Sequence, residues 1–318
     1  MSTETKKPRI GIIGTGAIGG FYGVMLARAG FDVHFLLRSE FAAVSENGLL
    51  IRHAELGDLT LNPVQAYSSV SDMPLCDWLL VGAKTTGNAD LAPVIVRAAA
   101  PGAKVLLMQN GLDVEDSLRP LLPNALHLLG GLCFVGVHRT APGVVTHLAF
   151  GAVTLGYHSG SAVDPEAGQL IAEEGADLFR KAGLDSRTTA SVQLARWQKL
   201  VWNIPYNGLS VLLRTSTTPL MEDPDSRALI RALMSEVIQG AAACGYSLPQ
   251  GYAEQLFAAT EPMPDYQPSM YLDYREKRPL ELAAIYAKPL HAAMSVGHDM
   301  PKTRALYQAL AFIDTHNS

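Results

Sequence analysis

The chain has 318 residues, a formal net charge of -5, and 48% hydrophobic against 17% charged residues. That length suits two domains with ample apolar material for their cores, and the charge leaves no basic footprint for nucleic acid. Only three cysteines occur, Cys76, Cys133 and Cys244, far apart, which excludes a dense disulfide scaffold and a CxxC metal site and fits reduced thiols in a cytoplasm.

The opening "MSTETKKPRIGIIG" carries no long apolar segment ahead of a small-residue cleavage site, so no leader is expected. No uninterrupted apolar run is long enough to span a bilayer, so a membrane is not an expected partner either. "RIGIIG" (9–14) reads as a short buried strand ending in glycine, and "AIGGFYGVMLARAG" (17–30) as a helix with a C-terminal glycine. "FDVHFLL" (31–37), "CDWLLVGA" (76–83) and "AKVLLMQNG" (103–111) read as further strands, with a helical block between the last two. This rhythm predicts a parallel sheet covered by helices. From "LLGGLCFVGV" through "GVVTHLAFGAVTLG" the strands follow closely without helices, predicting an antiparallel extension. A helix over about 165–182 and one short strand close the first half. Beyond about residue 191 long helical blocks dominate. The expected organisation is an α/β fold with a Rossmann-type dinucleotide-binding domain over 1–188 and an all-helical domain over 189–318.

"GTGAIG" (Gly14, Thr15, Gly16, Ala17, Ile18, Gly19) has G-x-G-x-x-G spacing. It follows a predicted strand and opens a predicted helix, the context in which the motif points to a dinucleotide pyrophosphate. The first glycine permits the tight turn, the second lets backbone approach the phosphates, and the third lets helix pack on strand. The second strand ends "HFLLRSE", with Arg38 and Ser39 where an NAD-type site would carry an acid; Glu40 comes two residues later. A cation and a hydroxyl there suit the 2′-phosphate of NADP, although Arg38 could also be a solvated surface residue. Lys84 and Asn110 follow strands at the sheet edge on which such folds bind ligands. Each has a plain alternative, surface charge for Lys84 and a turn pair for Asn110-Gly111.

In "RWQKLVWNIPYN", Lys199, Asn203 and Asn207 recur every four residues, about one helical turn, on a face flanked by tryptophans. A lysine on an apolar face is costly unless it is paired, and desolvation lowers its pKa, which suits a proton donor near neutral pH. The alternative is a snorkelling lysine at a domain edge, with the asparagines capping a helix broken at Pro205.

Taken in order, these motifs resemble the ketopantoate reductase family over nearly the whole chain. The matching features are the glycine turn, Arg38, Lys84, "QNG" at Asn110, and W-x-K-L-x-x-N-x-x-x-N at Trp197, Lys199, Leu200, Asn203 and Asn207. They continue with Ser269-Met270 followed by Glu281, and with Gly297 and Pro301. The resemblance implies NADPH as cofactor and a small 2-oxo acid as substrate. It implies Lys199 as general acid, Glu281 as the group orienting substrate, and Asn203, Asn207 and Ser269 as substrate contacts. Lys84 and Asn110 would then sit at the nicotinamide–substrate junction. It requires no metal, and it leaves a homodimer open.

The chain departs from the family pattern after Glu281. There "ELAAIYA" places Ala283, Tyr286 and Ala287 where the family commonly has Asp, Asn and Gly, and Pro205 is a further departure. These changes leave room for another 2-oxo acid. The alternatives are a related β-hydroxyacid dehydrogenase and a non-catalytic NADPH-sensing protein.

Overall fold

A computed structural model describes residues 7–317. The first six residues, where the sequence gives no expectation of a leader, lie outside the described residues. The described chain divides into two compact units. One runs to Gln109 and resumes over Glu115–Val192; the other comprises Asn110–Val114 and everything from Gln193. The division is therefore not a single cut near 188, because a five-residue segment after the fifth parallel strand joins the helical unit.

The first unit contains β1 (Arg9–Ile13), α1 (Ala17–Arg28), β2 (Asp32–Leu36), α2 (Phe41–Asn47), β3 (Leu49–His53), β4 (Gly57–Leu61), β5 (Ala66–Tyr67) and β6 (Cys76–Val81). It continues with α3 (Asn88–Ala98), β7 (Ala99–Leu107), α4 (Val114–Leu118), β8 (His127–Ala141), β9 (Val144–Ser159), α5 (Pro165–Lys181) and β10 (Ser186–Thr188). The sheet order is β4-β3-β9-β8-β7-β6-β1-β2-β5, with β10 beside β9. Strands β5-β2-β1-β6-β7-β8 run parallel. Numbered along the chain, those six strands have the order 3-2-1-4-5-6, that of the dinucleotide-binding Rossmann fold, with the switch point between β1 and β6. Ile13 is in register with Leu36 on one side and Val81 on the other, so three strand ends are level at that point.

The antiparallel extension is built from the long β8–β9 hairpin. The β3–β4 hairpin extends the sheet further along β9 and is absent from the sequence expectation. The extension also explains why α1 shows so little amphipathic pattern. Residues from Gly19 to Leu26 of α1 are all buried; Phe21 stacks on His147 of β9, and Tyr22 donates to the Gly151 carbonyl. A helix enclosed on all sides has no polar face to reveal its period.

The second unit contains α6 (Val192–Leu213), α7 (Thr217–Glu222), α8 (Pro224–Ala243), α9 (Tyr252–Thr260), α10 (Ser269–Arg275), a π-helical turn over Ala283–Ala287, α11 (Lys288–Ser295) and α12 (Pro301–His316). Its core gathers Trp197, Leu200, Val201 and Ile204 of α6 with Leu233 and Met234 of α8 and with Ile285 and Tyr286. The helix starts follow local chemistry: Asp164 caps α5 and Asp223 caps α8, each through its carboxylate. The start of α12 is satisfied from a distance, because buried Glu236 of α8 accepts from the Lys302 and Thr303 amides and the Thr303 hydroxyl.

Two local expectations change. The strand expected over 103–111 ends at Leu107, and the chain then leaves the sheet. The break considered at Pro205 does not occur: α6 runs unbroken from Val192 to Leu213, and both asparagines are mid-helix rather than caps.

Candidate active site

In the first unit the glycine turn leaves the end of β1 at the switch point. Gly14 has φ +87°, and a Cβ there would lie 2.4 Å from the Ala83 nitrogen, so only glycine fits beside the loop after β6. A Cβ on Gly19 would lie 2.4 Å from the Gly14 carbonyl oxygen, which fixes the close packing of α1 on the turn. At Gly16 the same test meets nothing within 4 Å, so the turn's backbone is open on that side. The N-terminus of α1 there has no capping side chain and no acid in its first turn, leaving its amides and dipole for an anion. Ala17 and Ile18 form that first turn and are half-buried. Thr15 donates from Oγ1 to the Leu36 carbonyl at 3.1 Å, tying the turn to the end of β2.

Arg38 and Ser39 are exposed just past that strand end, whereas Glu40 is buried. One Glu40 oxygen is ion-paired with Arg139 and the other accepts from the Gly143 amide at 2.9 Å. The nearest acid is thus committed to the β8–β9 hairpin, which leaves a cation as the accessible charge at the strand end. These residues fit a dinucleotide bearing an additional phosphate. Lys84 is exposed where the chain enters a short 3-10 turn, Thr85–Gly87. The loop bearing it is held by Gln109, whose side-chain amide donates to the Ala83 carbonyl at 2.8 Å and to Asn88 Oδ1 at 2.7 Å.

The second unit collects the other group. Lys199 is half-buried on α6, and Asn203 and Asn207 are buried below it. Asn203 Nδ2 is a buried donor with no hydrogen-bond partner among the described residues. Such a group costs about 1–3 kcal/mol if left unmade, so its persistence points to a ligand acceptor. Asn207 Oδ1 accepts from the Met270 amide at 3.2 Å, which brings Ser269 and the start of α10 onto the stripe. Glu281 is buried ahead of the π-helical turn, and its carbonyl accepts from the Ile285 amide.

Asn110 reaches this group through its neighbours. Gly111 has φ +107°, and a Cβ there would lie 2.4 Å from that of Ala284. The Leu112 amide donates to the Ala284 carbonyl at 2.9 Å. Arg196, almost fully buried one turn before Lys199, donates to the Gly111 carbonyl at 3.1 Å. Asn110 therefore sits on a turn clamped between α6 and the π-helical turn, and its shielded Oδ1 is a second buried atom without a partner among the described residues.

The departures after Glu281 now have positions. Ala283 is exposed and Ala284 forms the seat for Gly111. Tyr286 points into the core of the unit, where its hydroxyl donates to the Ile204 carbonyl at 2.7 Å. Burial raises the Tyr286 pKa while the Gly208 amide facing the same oxygen works against it, so the hydroxyl stays protonated and donates. A Cβ on Gly208 would lie 2.5 Å from that hydroxyl.

The site residues named from the sequence thus fall into two groups, one in each unit. The glycine turn, Arg38 and Lys84 line one edge of the sheet. Asn110, Lys199, Asn203, Asn207, Ser269 and Glu281 belong to the helical unit. Sequence reasoning gave no role to Gln109 or Arg196, and it named Tyr286 only as a departure from the family pattern. For Arg196 a signal existed, since it lies in the same apolar helical stretch as Lys199. Thiol chemistry finds no support at Cys76, whose burial pushes its pKa up to about 12.

Residues 10–160 match the Ketopantoate reductase PanE/ApbA family and residues 191–314 its C-terminal counterpart. The chain is 41% identical over 306 residues to a 2-dehydropantoate 2-reductase of a Nostoc species, covering 96% of this chain and 95% of that one. Among solved structures it resembles 2-dehydropantoate 2-reductase from Geobacter metallireducens (TM-score 0.88, 39% identity, 95% of this chain and 99% of that one). It also resembles the enzyme of the same name from Methylococcus capsulatus (TM-score 0.83, 33% identity, 98% of each chain).

Proposed function

We propose that this chain, which belongs to the ketopantoate reductase PanE/ApbA family, is an NADPH-dependent oxidoreductase that reduces 2-dehydropantoate to pantoate. The observation that carries the substrate side is the buried, unpartnered Asn203 Nδ2 one turn from Lys199 on α6. NADPH supplies the hydride when bound. The first unit holds it, with the turn from Gly14 to Gly19 at the pyrophosphate, Arg38 at the 2′-phosphate and Lys84 towards the nicotinamide.

The helical unit, which includes Asn110 on its clamped turn, holds the oxo acid. As the keto carbon gains hydride, negative charge gathers on its oxygen. Lys199 stabilises that charge and donates the proton, leaving a hydroxyl. Asn203 donates a hydrogen bond from Nδ2 to a substrate oxygen. Asn207 and Ser269 hold the carboxylate and hydroxyl ends, and buried Glu281 orients the substrate beside the lysine. The reading includes a cytoplasmic setting and small molecules as partners; no helix among the described residues is long and apolar enough to cross a membrane.

The test is oxidation of NADPH and NADH, compared side by side, against ketopantoate and a panel of 2-oxo acids. Turnover of ketopantoate with preference for NADPH is expected. Tight NADPH binding with no turnover of any oxo acid would overturn the enzyme reading in favour of a sensor.

A further inference from the structure

We infer that Tyr286 is a positioning residue for oxo-acid binding, acting as a wedge in α6 that sets the relation between Asn203 and Asn207. The inference rests on the reductase reading given above.

In an α-helix the carbonyl of residue 204 is normally paired with the amide of residue 208, and that of 201 with the amide of 205. Pro205 has no N–H, so the Val201 carbonyl has no rung partner at that position. Tyr286 bears on the 204–208 rung of the same stretch. Its hydroxyl donates to the Ile204 carbonyl at 2.7 Å and is faced by the Gly208 amide. An inserted side chain of this kind is a recognised cause of local bending in a helix.

Only glycine at 208 admits the hydroxyl, since a Cβ there would lie 2.5 Å from it. The Tyr286 ring is fixed in turn by its place in the π-helical turn over Ala283–Ala287 and by stacking on Tyr307 at 6.5 Å between centroids. Pro205, Gly208 and Tyr286 therefore act as a set on the turn joining Asn203 to Asn207, within a helix that stays continuous.

Asn207 passes the geometry on. Its Oδ1 takes the Met270 amide at 3.2 Å, so a rotation of α6 at this turn moves the start of α10 and Ser269 with it. Tyr286 is fully buried, its hydroxyl is bonded to α6 backbone, and it acts on the substrate only through those amides.

The experiment is Tyr286→Phe, which keeps the ring and deletes the wedge oxygen. Steady-state kinetics are read together with the thermal midpoint and with amide hydrogen exchange of the holoenzyme. Expected are a rise of about tenfold in KM for the oxo acid, an unchanged KM for NADPH, and faster exchange at the start of α10, where Met270 bonds Asn207. A lowered midpoint with unchanged oxo-acid KM and unchanged exchange at α10 would reduce Tyr286 to a core residue and overturn the inference. If the wild type turns over no oxo acid, the reductase reading fails by itself. The exchange readout then still decides the wedge: faster exchange at α10 supports it, and unchanged exchange removes it.

Discussion

Gly111→Ala tests the clamp that places Asn110. Gly111 has φ +107°, outside the regions an alanine adopts readily, which costs about 1–3 kcal/mol. The new methyl would lie 2.4 Å from the Ala284 Cβ and 2.7 Å from its carbonyl carbon and oxygen, so backbone has to move. Overpacking of that kind costs about 1–3 kcal/mol. Moving Ala284 away also strains the 2.9 Å bond from the Leu112 amide, worth about 1 kcal/mol. The terms overlap because they share one displacement, and about 3 kcal/mol of destabilisation is expected overall.

Gly297→Ala is the matched control in the same unit. Gly297 has φ +79° and a Cβ there meets nothing within 4 Å, so it carries the conformational cost alone, about 1 kcal/mol. Urea unfolding followed by tryptophan fluorescence reads both variants, with Trp197 buried in the core of this unit. Gly111→Ala should lower the midpoint well beyond the control, and kcat/KM should fall as Asn110 is displaced. Equal midpoint shifts for the two variants, with kcat/KM retained, would refute the claim that the turn is clamped on Ala284.

Lys199→Ala should lower kcat by about 100-fold or more, the worth of a positioned general acid; wild-type turnover in a folded variant would remove the lysine from the chemistry. Arg38→Asp should raise KM for NADPH by about ten- to a hundredfold, as expected for a lost charge-assisted hydrogen bond, and change NADH little. Equal effects on the two cofactors would show that Arg38 does not read the phosphate. Glu236→Ala strands two amides and a hydroxyl at the start of α12 and should cost about 2–4 kcal/mol of stability in urea unfolding while the folded protein keeps its kcat. An unchanged midpoint would show that α12 does not depend on the carboxylate.

Features with short-range causes could be read in the sequence. The G-x-G-x-x-G turn sits between a strand and a helix, and its glycines answer to contacts within the same βαβ unit, apart from the approach of Ala83. The four-residue stripe on α6 is a property of one helix and survives into the structure. Features whose cause lies far along the chain could not be read. Glu40 is an acid two residues beyond Arg38, just past the end of β2. What neutralises it is Arg139, 99 residues away on β8, and nothing near Glu40 announces that partner. The β3–β4 hairpin went unread for a related reason, since its place in the sheet depends on pairing with β9.

Pro205 shows how such distant causes bear on function. In an ordinary helix interior a proline costs about 3 kcal/mol, and taken alone it predicts a break. Here the helix continues, and its backbone beside the proline receives a hydroxyl from 82 residues beyond Ile204, admitted by the missing side chain at Gly208. The changes after Glu281 then need not mark a reshaped pocket wall. Ala283 lies on the surface, Ala284 seats Gly111, and Tyr286 braces the helix that carries Lys199 and the two asparagines. Read this way, Pro205 and Tyr286 bear on the same turn of α6. A β-carbon at 208 would lie 2.5 Å from the hydroxyl, so the tyrosine in this position requires the glycine opposite it.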